Sequence, residues 1–277
     1  MSATNGTDAS TLYQQAEACM EEIEAETKKQ FLTSERCLVA KLEVDYVDSD
    51  ANFIAGLKSL QEDYSEMRTV RGDGNCYYRA FLYSLVEHMM QNAADGKIIL
   101  DYFKTKSWNE VLAQGYDEMA LEIFYETIVD LLERVVDGKT DAAAFHTEMN
   151  AENSTSDYCT WYLRVVTATH LKQDPDRFLP FLMDGQAGGN NIFLDINQFC
   201  AKHVEPMGQE CEQVQVLALA VAIGVHVQIK YLDGRQLQPN NRLSHHQFGP
   251  DNATTRLTLL YRPGHYDIIY RKEQKLT

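Results

Sequence analysis

The sequence predicts an α+β protein: a small sheet packed against helices, with a helical arm at the N-terminus. Two observations carry this prediction. Apolar residues recur at helical spacing through most of the chain, and strict apolar–polar alternation begins only after Gly224. Helices first and strands late is the order of an α+β fold. No internal repeat or long linker divides the chain, so one domain at residues 33–277 is expected behind an arm at residues 1–32.

The arm begins with small polar residues, 1–10, whose composition predicts disorder. From Leu12 to Phe31, Leu12, Ala16, Cys19, Met20 and Ile23 form one narrow apolar stripe on a mainly polar helix. Such a helix either packs loosely on the domain or awaits a partner. Thr33-Ser34-Glu35-Arg36 reads as a further helix start, and Phe53, Ile54, Leu57 and Leu60 mark a helix over Asn52–Tyr64. Arg71-Gly72-Asp73-Gly74-Asn75 is a turn by composition. The helix after it is very regular. Tyr78, Phe81, Leu82, Leu85, Val86 and Met89 line one face over three turns, which makes this helix central to the core.

Helical patterning continues over Trp108–Val136 and Thr155–Leu171, with a glycine- and asparagine-rich loop at 185–191. An apolar helix, Gln213–Ile223, ends at Gly224, a residue suited to a left-handed C-terminal cap. Val225, Val227, Ile229 and Tyr231 then alternate with polar residues, including His226, as a half-buried strand. Asp233-Gly234 is a turn, and His245-His246 lies in a turn-like stretch. Leu257, Leu259 and Tyr261 alternate again, followed by Tyr266–Tyr270 after Pro263-Gly264.

Composition excludes several functions. Of the 277 residues 44% are apolar, enough for a folded core, and the net charge is −16. Nucleic-acid binding needs a surplus of Lys and Arg and is not expected. The longest apolar run, Val216–Val225, is too short to cross a bilayer, and the N-terminus has neither the basic cluster nor the apolar core of a signal peptide. Six scattered cysteines without an export signal predict reduced thiols in the cytosol or nucleus. Their spacing matches no zinc site.

One cysteine lies where chemistry needs it. If Asn75 caps the central helix, Cys76 occupies its first turn, where free N–H groups and the helix dipole favour a thiolate. The same N–H groups, with those of the Gly72–Asn75 turn, suit an oxyanion. A packed cysteine after an ordinary turn fits the same spacing. Gly72-x-Gly74 lacks the third glycine of a nucleotide loop, since position 77 is tyrosine. Among eight histidines, His265 stands out: alternation along an extended segment puts Asp267 on its face, where a carboxylate can orient an imidazole. A structural histidine also satisfies that spacing.

In combination the two segments are more specific. Asp73-Gly74-Asn75-Cys76-Tyr77-Tyr78-Arg79-Ala80-Phe81 resembles the cysteine signature of the ovarian-tumour class of deubiquitinases. Tyr261–Tyr270, with Pro263-Gly264-His265-Tyr266-Asp267, resembles the histidine signature in its otubain form. Ser34-Glu35-Arg36, Ser156-Asp157-Tyr158, Tyr162-Leu163-Arg164 and Val204-Glu205-Pro206-Met207 extend the resemblance, which runs from about Thr33 to Tyr270. The arm before Thr33 matches weakly, and Asp184–Asp195 reads as a local variation. The resemblance implies a papain-like thiol isopeptidase that removes ubiquitin from lysine and prefers particular chain linkages. By position, Cys76 would be the nucleophile, His265 the general base and then acid, and Asp267 its orienter. Asp73 would support the oxyanion loop. Gly74, Asn75, Met207, Pro263 and Tyr266 are read as substrate-binding residues. No metal or cofactor is implied. Ubiquitin, polyubiquitin and ubiquitin-conjugating enzymes are the implied partners; a non-catalytic grip on the latter is the alternative function.

Overall fold

In the computed structural model, residues 25–47, 49–151, 155–183 and 195–272 are described. The stripe predicted at residues 12–23 and the 185–191 loop lie outside them. So do residues 184–194 of the variation predicted at 184–195. A helical turn at 25–28 leads to Leu32, which is already buried.

The segment predicted as a helix start at Thr33–Arg36 is extended instead. Thr33 bridges Val70, the Ser34 N–H donates to Thr69 O at 2.8 Å, and Ser34 Oγ accepts from the Thr69 N–H at 2.9 Å. The hydroxyl that would cap a helix is engaged by a neighbouring strand. Strand β1 (Cys37–Leu38) and a 3₁₀ turn (Val39–Glu43) follow. Helix α1 (Ala51–Asp63) starts where Asp50 accepts the Asn52 N–H, and β2 (Tyr64–Arg68) continues directly from it.

The central helix α2 is Cys76–Gln91, and twelve of its residues are buried. That leaves it almost no solvated face, so it is an interior helix and not an amphipathic surface one. Helices α3 (Ala93–Asp101) and α4 (Trp108–Ala113) are joined by a π-helical segment, Tyr102–Ser107. Helices α5 (Glu118–Val136), α6 (Ala142–Met149), α7 (Thr155–Gln173), α8 (Pro175–Met183) and α9 (Ile196–Phe199) then lead to a π-helical segment at Cys200–Val204. The helix pattern at Trp108–Val136 is thus two helices, parted at Gly115 with φ +83°. Helix α10 (Gln213–Ile223) ends as predicted at Gly224, φ +79°.

Strands β3 (His226–Tyr231), β4 (His245–Phe248), β5 (Arg256–Arg262) and β6 (His265–Arg271) complete a six-stranded sheet in the order β1-β2-β6-β5-β3-β4. Among the described residues only β3 and β5 pair in parallel. The stretch at His245-His246 is therefore strand β4, with Lys230 opposite His245. His226 is buried and does not face water, because β3 is an interior strand with both faces covered at this end.

Each face of the sheet carries a core. Tyr266 and Ile268 of β6 join Val227, Ile229 and Leu259 against α2 and the helices behind it. Ile269 of β6 and Leu260 of β5 face the other way, onto Leu57 and Leu60 of α1 and Leu42 of the 3₁₀ turn. A third cluster, around Leu171, Phe178 and Phe199, secures the segment that leads to residues 204–209. The α+β class holds, with sheet and α2 packed as expected.

Candidate active site

Two elements that meet at the N-terminus of α2 build the site. One is the turn at residues 71–75. Asp73 Oδ1 accepts the Asn75 N–H at 3.1 Å, and both its carboxylate oxygens accept from Arg79 Nη1, at 2.6 and 2.7 Å. Arg79 lies one turn into α2, is 2% exposed and also donates to Asp157 Oδ1 at 2.8 Å. Asp73 thereby clamps the turn to the helix that follows it.

Gly74 has φ +76°, and a Cβ there would lie 2.1 Å from the Gly208 carbonyl oxygen. No other residue fits: the backbone is left-handed and the 204–209 segment passes in contact. Asn75 holds the N-cap position of α2 but does not cap it with its side chain. Its Oδ1 accepts instead from the Gly208 N–H at 2.9 Å and from Arg164 at 2.9 Å. That corrects the capping expectation: the amide oxygen is taken by two donors outside the helix. The first N–H groups of α2 have no intrahelical acceptor in any helix, and Cys76, 5% exposed, sits among them.

Arg164 of α7 is 0% exposed. Its Nη2 donates to Gly74 O at 2.8 Å and Gln209 O at 2.7 Å as well as to Asn75, and its Nη1 donates to Val204 O at 3.0 Å. Burial holds its pKa below the ordinary arginine value.

The second element is the β5–β6 hairpin. Arg262 and His265 face each other across Pro263-Gly264, with Gly264 at φ +71°. Proline followed by a left-handed glycine is the composition of a tight type II turn. Asp267, 0% exposed, is held by four donors: Val70 N–H at 3.0 Å, Arg262 Nε at 2.9 Å and Nη2 at 2.7 Å, and His265 Nε2 at 2.9 Å. Burial alone would raise its pKa, but His265, Arg262 and the Val70 N–H outweigh burial and lower it. With Nε2 on Asp267, the other ring nitrogen faces the cysteine turn. A Cβ at Gly72 would lie 3.5 Å from His265 Nδ1, and the ring interacts with Cys76. Burial pulls the imidazole pKa down, yet the Asp267 hydrogen bond and Cys76 raise it to about 9.

The fold therefore brings Cys76, His265 and Asp267 into one constellation, with Asp73 at its turn. The residues read as substrate-binding fare differently. Met207 is half-buried and Pro263 exposed beside the hairpin turn, whereas Gly74 serves the backbone path. Tyr266 is 4% exposed, stacked edge-on against Tyr77 at 5.3 Å and Tyr261 at 5.2 Å, so it packs the core and offers no surface. Asn75, also buried, is occupied as described. Among the described residues no group of three or more His, Cys, Asp and Glu is arranged to hold a metal, and no helix is long and apolar enough to cross a membrane.

Arg79, Arg164 and Arg262 carry no role in the sequence reading. Arg79 and Arg164 left a signal: an arginine set within an apolar helical run, as in Tyr162-Leu163-Arg164-Val165-Val166 and Tyr77-Tyr78-Arg79-Ala80-Phe81, has no wet face to occupy.

Comparison with known proteins bears on this geometry. The family model for Peptidase C65 Otubain matches residues 25–271. Human ubiquitin thioesterase OTUB1 is 35% identical over 243 residues, covering 87% of this chain and 83% of that protein. The Caenorhabditis elegans otubain-like ubiquitin thioesterase is 32% identical over 231 residues, 82% of this chain and 76% of its own. A solved complex of ceOTUB1 with ubiquitin aldehyde and UBC13~Ub superposes with a TM-score of 0.81 at 29% identity, over 92% of this chain and 99% of that one.

Proposed function

This chain belongs to the otubain peptidases, family C65, and from that premise we propose that it is a cysteine-type deubiquitinase cutting the isopeptide bond between the ubiquitin C-terminus and a lysine amine. The observation that carries the reading is His265 held between buried Asp267 and Cys76. With a pKa of about 9, the imidazole carries a proton at neutral pH.

The chemistry follows from that arrangement. Beside the protonated ring, Cys76 Sγ attacks the carbonyl carbon of the isopeptide. The developing oxyanion lies at the start of α2, where the Cys76 N–H and the turn before it donate. His265 gives its proton to the departing lysine amine, leaving a thioester. Water then attacks with His265 taking its proton, and the ubiquitin carboxylate and the Cys76 thiol are released. Asp267 keeps Nε2 engaged and so keeps Nδ1 toward the sulfur. Selectivity among chain linkages would come from the surface around Met207 and Pro263, which adjoin Gly208 at the cysteine turn and His265 in the hairpin.

Ubiquitin bearing a thiol-reactive electrophile at its C-terminus tests this. We expect an adduct that mass spectrometry maps to Cys76, absent from Cys76→Ala and slowed in His265→Ala. An adduct on any other cysteine, or none while ubiquitin still binds, would sink it.

A second reading concerns ubiquitin-conjugating enzymes, because OTUB1 structures contain UBC13~Ub and UBCH5B~Ub. In that reading this chain also grips a charged conjugating enzyme, with its first residues as part of the grip. Removal of residues 1–24 should then relieve inhibition of chain synthesis and spare hydrolysis of a minimal ubiquitin substrate. Unchanged inhibition counts against it. The same overall reading puts the enzyme in the cytosol or nucleus; among the described residues the five cysteines at 37, 76, 159, 200 and 211 are unpaired, which fits that proposal.

A further inference from the structure

Two buried arginines serve the cysteine turn, and they differ in one respect. Arg79 is neutralised by Asp73 and Asp157. Arg164 is buried as well, yet every hydrogen bond it makes among the described residues ends on a neutral oxygen: three main-chain carbonyls and the Asn75 amide. The Tyr78 ring, 4.5 Å from the guanidinium carbon, supplies only the weak field of an aromatic face. A buried cation without a counter-charge has given up its hydration for nothing of like strength. Asp73, a carboxylate that acts on Arg164, is already engaged by Arg79; Cys211 acts on it more strongly, but burial pushes that thiol well up, while Cys76 at the turn Arg164 holds lies within range as well.

We infer that Arg164 is a positioning residue for catalysis: it keeps one uncompensated positive charge beneath the cysteine turn, and the negative charge that forms at Cys76 and its acyl adduct during reaction is its counter-charge. This rests on the cysteine-hydrolase reading above. Arg164 acts in two ways through the same contacts. Its bond to Gly74 O turns that carbonyl inward, so no lone pair opposes an oxyanion forming at the start of α2. Its bonds to Val204 O and Gln209 O fix the segment whose Gly208 closes over Gly74. The charge acts most on the negative charge that grows at the turn as the oxyanion forms, so it lowers the barrier more than it strengthens the ground state.

The test separates charge from scaffolding. Arg164→Met keeps the length of the stem and removes the charge; Arg164→Lys keeps the charge and reaches fewer carbonyls. The first readout is the ratio of Cys76 alkylation rates with iodoacetate, an anion, and iodoacetamide, its neutral analogue, followed at the Cys76 peptide by mass spectrometry. This ratio cancels changes in access and in thiol reactivity common to both reagents. We expect it to fall about fivefold in Arg164→Met and to stay within about a factor of two in Arg164→Lys. In ubiquitin hydrolysis, kcat should fall about 10²-fold in Arg164→Met with KM changed by less than about threefold. A ratio unchanged in Arg164→Met, or equally reduced in both variants, overturns the inference and leaves Arg164 a scaffold. Should the methionine variant fail to fold, Arg164→Gln takes its place, neutral but still able to donate hydrogen bonds: a ratio reduced about fivefold beside a preserved ratio in Arg164→Lys supports the inference, and an unchanged ratio overturns it. Alkylation needs no ubiquitin, so failure here is distinct from failure of the deubiquitinase reading, which the electrophile-tagged ubiquitin tests.

Discussion

Asp267 shows how much one side chain can determine. Four donors converge on a carboxylate with no exposed surface, and three of them come from its own hairpin. Replacing it with asparagine presents an amide where two of those donors need an acceptor. The amide N–H₂ can meet His265 Nε2 only if that nitrogen gives up its proton, which reverses the tautomer. Asp267→Asn should therefore lower kcat by about 10²–10⁴-fold and drop the His265 pKa from about 9 toward its ordinary 6.5, read by NMR titration of the ring. Cys76→Ala should shift the same pKa down by a smaller amount, since Cys76 is the lesser of the two causes that raise it. An unmoved ring pKa in either variant would contradict the geometry. At Gly74 the constraint is steric. Gly74→Ala drives a methyl into Gly208 O, so hydrolysis should fall by at least about 10²-fold. Gly138→Ala, also at positive φ but with open space around it, should cost only about 1–2 kcal/mol in a urea unfolding curve and leave the rate alone.

At the scale of elements, α2 is the part most readable in advance. Its apolar residues recur at helical spacing over three turns because its neighbours cover it on nearly every side. Leu85→Ala, at a fully buried position near its middle, should destabilise the protein by about 2–5 kcal/mol, measured by equilibrium urea unfolding. Strands β3 and β5 were legible for the same reason at period two, and β6 as an apolar and aromatic stretch after Pro263-Gly264, since four consecutive residues of it are buried. Strand β2 was not, and the cause is physical: a register shift between Tyr64 and Glu66 resets the alternation, and Arg68 is buried on a strand that composition would leave wet. β1 has two residues and β4 four, too few for a period to show. In the site, Cys76 at a helix start and His265 two positions before Asp267 could be picked out from local spacing. The roles of Asn75 and Tyr266 could not, because each depends on what a distant segment presents: Gly208 and Arg164 for one, Tyr77 for the other. Tyr266 in particular lies between two site residues, so alternation sends it to the opposite face.

For the molecule as a whole, the catalytic pair also shapes stability against pH. His265 has its pKa raised in the folded protein, so its contribution is complete below about pH 6.5 and disappears as pH rises through about 9. Asp267 has its pKa lowered, so its contribution is present above pH 3.8 and is lost on acidification through its folded value. The two together define a plateau between mildly acidic and neutral pH. The stability advantage of the native protein over His265→Gln should therefore shrink steadily from pH 6.5 to pH 9.5 in parallel urea titrations. A constant difference would mean that His265 does not gain its proton affinity from the fold. Hydrolysis should decline over the alkaline side of the same range, as the ring loses the proton it gives to the departing amine.

The distance along the chain between the two halves of the site has a consequence for biosynthesis. Position 265 follows position 76 by 189 residues, and at ordinary elongation speeds of 5–20 residues per second that is roughly 10–40 s. During that interval every nascent copy carries its nucleophile without its base, on a helix whose covering strands β5 and β6 do not yet exist. Each ribosome-bound chain in that interval is thus a precursor whose nucleophile has no base. A polysome translating this message holds many thiols but no working enzyme, and activity appears only once the last hairpin has been made and has closed over α2.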